Sequence, residues 1–487
     1  MPIITDHTLK LSDSCKRRAW RVTWIADDEH SAVGQTGRAL RRDALLREFA
    51  QISGATNIMP RGSSWAHRVV ETRRLIDDGA TEIMGAAFEV DGVQVSIDHM
   101  KRVEDTWVLT TVRGSTSRKA SHVRTLGLGL WVLNVLNVPV GDVRVATVNP
   151  RSVSRRDHTF FTTRSVYKAG LALAQGLTQT IDDLRATLQA GEPEATPGRH
   201  CRKPDLCPYL PTCQPAEDPQ ALADLYRVKA KLIKQLEGQG VTRIADIPSS
   251  IALPPIASRQ RDALQKGATV VSPQLRDQIA TIRRPTAYID FEAIQPAVPL
   301  WPGTAPFAIV PVQVSIHRLD ADGSLHHASW LAPPMADPRP ELARFVARHL
   351  EGAETLVAYH STFERSILKR LEAFASERAA AILRDSSERL VDLLPIIREN
   401  VYHVDFKGKF NLKSVVGALI PDLSYDDLQI RRGDEASLVL EAHCRGNASV
   451  FGWSDTEREQ ALLSYCARDT LVMVRLEETL RELVVSG

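Results

Sequence analysis

Ala287-Tyr-Ile-Asp-Phe-Glu292 sets two acids among β-rich residues. It predicts a strand over Thr286–Phe291. Residues two apart on a strand share a face. Asp290 and Glu292 therefore point together, and Ile289 and Phe291 point the other way. Two carboxylates side by side on a buried strand repel each other and are costly to desolvate. A divalent cation relieves both effects, because hard cations take oxygen ligands. The alternative is a solvent-facing edge strand on which both acids are hydrated.

Strands and helices alternate downstream of this stretch. A Pro-rich loop over 296–311 leads to a strand at Val312–His317. A helix follows at Pro340–Leu350, then a strand at Thr355–Tyr359, a helix from Thr362 and a helical C-terminus. That alternation predicts an α/β layer fold. Two more segments place acids in this region. In Tyr465-Cys-Ala-Arg-Asp469 the Tyr and Asp are one helical turn apart and share a face. A phenol beside a carboxylate can orient a water on a metal; a half-buried Tyr bonded to a surface Asp is the plainer alternative. In Tyr359-His-Ser-Thr-Phe-Glu364 the Ser361/Glu364 pair has capping-box spacing, under which Glu364 would only satisfy a helix-start amide.

Together these segments resemble the DnaQ-like 3′–5′ exonucleases of the ribonuclease H fold. In that family an Asp-x-Glu strand comes first, a central acid second, and a Tyr-x3-Asp helix last. Asp290 and Glu292 match the first motif, Tyr465 and Asp469 the last, and Glu364 stands where the family usually has Asp. The resemblance implies a catalytic set of Asp290, Glu292, Glu364, Tyr465 and Asp469. It implies two Mg²⁺ or Mn²⁺ ions held by the four acids, with Tyr465 positioning the attacking water. The implied chemistry is two-metal phosphodiester hydrolysis. Asn411-Leu-Lys413 and Asp392-Leu393 also resemble family positions beside the site. The plain alternatives are a helix N-cap for Asn411 and a solvated acid for Asp392.

The chain has 487 residues, enough for about three domains, and is 43% hydrophobic and 25% charged. That composition excludes a mostly disordered or fibrous chain. With 61 Lys and Arg against 59 Asp and Glu, the net charge of +2 says little about partners. Six cysteines are too few for a disulfide scaffold and point to a reducing compartment. The N-terminus lacks the apolar core of a signal peptide. The longest apolar stretch, Leu126 to Val140, falls short of a membrane span and reads as a buried helix. The expectation is a cytoplasmic protein without a membrane partner.

The front of the chain carries its own signals. Asp91-Gly92 between two β-rich runs predicts a hairpin over 86–100. From Lys101 to Lys168 there are twelve Lys or Arg against four Asp or Glu, a local net of +8 that could track phosphates. A solvated basic face is the alternative. Cys201, Cys207 and Cys213 lie among prolines and turns, with Cys15 far upstream. Three close cysteines suggest a metal site lacking a fourth ligand.

One early and three late cysteines resemble the iron–sulfur-stapled nucleases of the RecB-like PD-(D/E)xK class. The resemblance implies a 4Fe–4S cluster on Cys15, Cys201, Cys207 and Cys213. Zinc on the same thiols, with His200 able to replace Cys15, is the alternative. Cys444 and Cys466 read as core. The nuclease motif of that class is degenerate here. Asp98 fits its Asp, but Thr111 stands for Glu, Arg113 for Lys, Gly85 for the preceding acid, and Gly127 and Trp131 for the helix pair. One carboxylate holds a catalytic metal poorly, and Arg cannot serve as a proton-sharing base. The expectation is a front domain that binds nucleic acid through Arg113, Arg118, Lys119 and Arg124 without cutting it.

The whole chain resembles uncharacterised bacterial proteins that join these parts. A RecB-like domain would span 1–217, a helix-hairpin-helix-like linker 218–275, and a DnaQ-like exonuclease domain 276–487. The expected fold class is multidomain α/β, and the expected activity is metal-dependent 3′–5′ hydrolysis of DNA or RNA. A non-catalytic nucleic-acid-binding scaffold is the second possibility, and an active RecB-like endonuclease the third.

Overall fold

The computed structural model describes residues 1–25, 32–55, 57–59, 62–152, 158–202, 206–213, 220–447 and 451–486. It is a mixed α/β molecule with several sheets. The chain divides into two compact units. One is Met1–Ala216 with Gln295–Ala308, and the other is Glu217–Ile294 with Ile309–Gly487. The junction expected at 217/218 lies outside the described residues, as does 153–157 within the basic stretch. The helical stretch expected as a linker belongs to the second unit and has its own apolar cluster, including Leu222, Leu225, Leu236, Ile244 and Ile247. Among the described residues no helix is long and apolar enough to cross a membrane.

The first unit holds a five-stranded sheet in the order β1-β2-β3-β4-β5. The strands are β1 (Glu82–Val90), β2 (Val93–Val103), β3 (Thr106–Arg113), β4 (Val140–Val148) and β5 (Phe161–Ser165). The β1–β2 hairpin turns at Asp91-Gly92, both at positive φ, as a tight two-residue turn requires. The apolar run at 126–140 supplies the buried helix Ala120–Val135, which packs against this sheet and the helix Tyr167–Gln189. Gly127 sits where the two helices approach closely, since a Cβ there would lie 3.0 Å from the Leu173 Cβ.

The second unit holds the sheet that carries the acids. Its strands are β6 (Thr286–Ile294), β7 (Val310–Leu319), β8 (Leu325–Leu331), β9 (Thr355–Ala358) and β10 (Leu390–Asp392), in the order β10-β9-β6-β7-β8. β6, β7 and β8 pair antiparallel; β9 and β10 continue parallel to β6. β6 alternates cleanly from Ala287 to Glu292. Ala287, Ile289 and Phe291 enter one core with Leu342, Val346 and Ile367, and Tyr288 enters the other with Val472 and Leu476. The second core lies under the helix Asp455–Ser486, which contacts β6 and β7. β6 and that helix therefore face each other along the row Tyr288, Asp290, Glu292.

Candidate metal centre

The carboxylates of Asp290, Glu292 and Asp469 each offer an oxygen within 4.8 Å of the others. Two come from β6 and one from the C-terminal helix. Asp290 pairs in register with Ser315 and Glu292 with Gln313, and the ladder slips by one residue immediately after Glu292. Such a bulge bends a strand and re-aims its side chains. The helix is held against the sheet on both sides of Asp469. Gln313 donates to the Leu462 carbonyl at 2.7 Å. Thr470 bonds both Ser315 and His317 at 2.7 Å. Further along, the buried Glu477 receives Arg284, the Tyr288 hydroxyl and Arg481.

Burial and mutual repulsion both act on this triad. Burial, followed by Asp469, Glu292 and Glu364, drives the Asp290 carboxyl well above its ordinary range. Burial and Asp469 push Glu292 up to about 8. Burial raises Asp469 to about 6, against the opposing effect of the Tyr425 hydroxyl. A cation at the shared oxygens is what would return all three to the charged form. The donor set is all oxygen, as a hard divalent ion prefers.

Glu364 is buried at 5% exposure, and its Oε2 has no hydrogen-bond partner. The capping box allowed by its spacing is not formed, because Ser361 makes no side-chain cap bond to the helix Thr362–Leu371. Burial raises the Glu364 carboxyl to about 7. It acts electrostatically on Asp290 and Glu292 but lies outside the 4.8 Å triad. Tyr465 is buried beside Asp469, and its hydroxyl would be 3.5 Å from a Cβ at Gly433.

Two neighbours complete the surroundings. Tyr425 donates its hydroxyl to Asp469 Oδ1 at 2.5 Å. Lys413 places its ammonium 4.5 Å from the centre of the Tyr425 ring and 5.1 Å from that of Tyr465. Burial lowers the Lys413 ammonium below its ordinary range, against the opposing effect of Asp469 and Glu292. Asn411 is a helix N-cap, accepting the Ser414 amide at 3.0 Å, and so starts the helix that presents Lys413. Asp392 is not a solvated acid. It caps the helix Leu393–Asn400 and accepts the amides of His360 and Ser361 at 2.9 Å, fixing the corner before Glu364. Cys466 is core, as expected, and its thiol lies 3.6 Å from Asp290 Oδ2. Tyr425 escaped sequence analysis because no local spacing ties it to the acids.

In the first unit the acid expected at the nuclease motif, Asp98, is engaged by neighbouring residues. Buried Asp98 accepts the Val112 amide at 2.8 Å and the Thr111 hydroxyl at 3.0 Å, and is ion-paired with Arg42. Arg68 donates to the Gly85 carbonyl at 2.6 Å and to Ser96 at 2.8 Å. A guanidinium thus stands against the one carboxylate a metal would need. Gly127 and Trp131 serve helix packing, the latter donating to Thr178 at 2.9 Å. The four expected cationic contacts divide. Arg118 and Lys119 are exposed, Arg113 turns inward to Thr125 at 3.2 Å, and Arg124 pairs with Asp13 at 2.5 Å.

Cys15, Cys201, Cys207 and Cys213 line a single cavity together with His200, Arg18 and Tyr209. All four are free thiols. No three of them meet the mutual 4.8 Å spacing that the acids meet.

Residues 287–411 match a family model described as a domain of unknown function, DUF2779. The matched segment contains Asp290, Glu292 and Glu364 and stops before Tyr465 and Asp469. No curated protein and no solved structure matches the chain.

Proposed function

We propose that the second unit is a metal-dependent phosphodiester hydrolase acting on DNA or RNA, of the DnaQ-like 3′–5′ exonuclease type. The observation that carries this reading is the convergence of Asp290, Glu292 and Asp469 within 4.8 Å, each raised in pKa by burial. The sheet order, with three antiparallel strands extended by two parallel ones, is consistent with a ribonuclease H-like fold.

Asp290, Glu292 and Asp469 would hold one Mg²⁺ or Mn²⁺, and the unpartnered Glu364 would help hold a second. Such ions supply Lewis-acid polarisation of a phosphate and make a bound water easier to ionise. Tyr465 would orient that water by its hydroxyl. Tyr425 fixes the rotamer of Asp469 and favours its ionised form. Lys413 adds a positive charge where a phosphate oxygen would approach.

The first unit would contribute nucleic-acid contact without hydrolysis, the reading favoured by the Arg42–Asp98 pair. Its four thiols line one cavity and would hold a metal group there. Zinc at 2.3 Å from four sulfurs brings them within about 4 Å of one another, whereas these thiols surround a cavity at wider spacing. A 4Fe–4S cluster is therefore the proposed occupant. Anaerobically purified protein should contain about four iron and four sulfide per chain; one zinc without sulfide would reverse the assignment.

The deciding experiment incubates wild type and Asp290→Ala with end-labelled single-stranded DNA and RNA, with and without Mg²⁺ or Mn²⁺. Stepwise shortening from the 3′ end, absent in the variant, is expected. Tight binding with no shortening under any condition would replace this reading with that of a non-catalytic scaffold.

A further inference from the structure

A second cavity, of about 520 Å³, lies in the second unit among Tyr226, Arg227, Ile256, Arg259, Arg398 and Glu399. Three guanidiniums face one carboxylate there. Arg398 and Glu399 pair at 3.3 Å, and Glu399 also favours the charge of Arg259 from a distance, so one carboxylate serves three guanidiniums. Arg259 is half-buried, its Nε has no hydrogen-bond partner, and one terminal nitrogen reaches only the Arg398 carbonyl at 3.3 Å. A half-buried cation with unmet donors is costly unless an acceptor arrives.

The Tyr226-Arg227 corner is built rather than incidental. Arg227 has φ +50, the left-handed conformation that non-glycine residues rarely adopt. Buried Gln260 holds the corner, accepting the Tyr226 amide at 2.8 Å and donating to the Asp224 carbonyl at 3.0 Å. The Tyr226 ring packs edge-on against Phe410 at 5.3 Å, and the Arg227 guanidinium stands 5.4 Å from the Tyr226 centroid. The corner thus presents an aromatic ring and a guanidinium plane, the two surfaces on which unstacked bases are received. Phe410 is three residues before Lys413, so the chain that supports this cavity also supports the triad's cation.

We infer that this cavity is a nucleotide subsite, in which Arg227 and Arg259 take a phosphate and the Tyr226-Arg227 corner takes the attached base. The occupant is a nucleoside monophosphate unit, supplied as part of a single strand or as a free mononucleotide. The subsite does not depend on hydrolysis at the triad.

The test is equilibrium binding to the full chain in EDTA, so that no turnover intervenes. The probes are fluorescein-labelled single-stranded 12-mers of DNA and RNA, with 5′-AMP as competitor. Tyr226→Ala should weaken binding about fivefold or more, the lower end of one lost base stack. Arg227→Gln, at an exposed side chain that can be replaced without unfolding, should weaken binding and flatten the salt dependence by about 0.7 in slope. Competition by 5′-AMP that is lost in Arg227→Gln would identify a site open to free nucleotide. Weakened 12-mer binding without 5′-AMP competition would identify a strand-only site. Unchanged 12-mer affinity, salt slope and 5′-AMP binding in both variants would overturn the inference. Because Asp290→Ala should abolish hydrolysis but not this binding, failure of the subsite and failure of the exonuclease reading give different results.

Discussion

The Tyr425 hydroxyl donates to Asp469 Oδ1 at 2.5 Å across 44 residues of sequence. This bond favours the ionised form of an acid that burial pushes up to about 6. Tyr425→Phe should therefore leave the fold intact and weaken metal binding at neutral pH. Outer partners of this kind are worth about 10–100-fold in metal affinity. The check is the Mn²⁺ concentration for half-maximal hydrolysis, which should rise by about tenfold; an unchanged value would remove Tyr425 from the site.

Asp290→Asn should show what the acids cost the metal-free protein. Three converging carboxylates destabilise one another until a cation joins them. Wild type should melt higher with Mg²⁺ than with EDTA, by about 2.7 kcal/mol at a hundredfold excess over the dissociation constant. The variant should lose that gain and should melt in EDTA no lower than wild type. Thermal melts in both buffers decide it, and a variant that keeps the full Mg²⁺ gain would place the ion elsewhere.

Lys413→Met should separate metal binding from turnover. The ammonium repels cations and attracts phosphate. Its removal should leave Mn²⁺ affinity equal or tighter while lowering kcat by about 100–1,000-fold, as for loss of one preorganised charge donor. Parallel loss of both would show that Lys413 only supports the fold.

Acid should loosen the packing behind the triad. His317 stacks on His327 at 4.3 Å and bonds Thr470, and burial together with His327 lowers it to about 4. The unfolded chain takes up this proton near pH 6.5 and the folded chain only near 4, so stability falls as pH drops through that window. The shift sets an upper bound of about 3 kcal/mol. His317→Gln should flatten the decline in melting temperature between pH 6.5 and 4; an unaltered slope would assign the decline to other groups.

Asp98→Ala should weaken the first unit and spare hydrolysis. The change strands the buried Val112 amide and Thr111 hydroxyl, a loss of about 2 kcal/mol. The Arg42 side chain, at 43% exposure, is rehydrated rather than stranded. Denaturant unfolding should report the loss, while metal-dependent shortening continues at a temperature where the variant is folded. Loss of shortening there would make the front unit the nuclease.

Local pattern carried much of this molecule. Asp91-Gly92 named its hairpin and the alternation of 287–292 named the faces of β6, because both signals lie within a few residues. The spacing of Tyr465 and Asp469 placed them on one helix. Strand β8 was not anticipated; its Leu-His-His start is exposed and lacks an apolar alternation. Tyr425 and Arg42 were also invisible, since each reaches its partner through tertiary packing alone. Ser361 and Glu364 show the converse, a local motif that forms no cap once Glu364 is turned into the interior.

Two of the points at which the C-terminal helix meets β6 carry acids, Asp469 beside Asp290 and Glu292, and Glu477 beneath Tyr288. An α-helix turns by about 100° per residue. A single residue gained or lost between 470 and 476 would swing one of these two points out of line with the strand, however conservative the residue. Length variation among descendants of this sequence should therefore collect in the loops, while this interval tolerates substitution but not insertion or deletion.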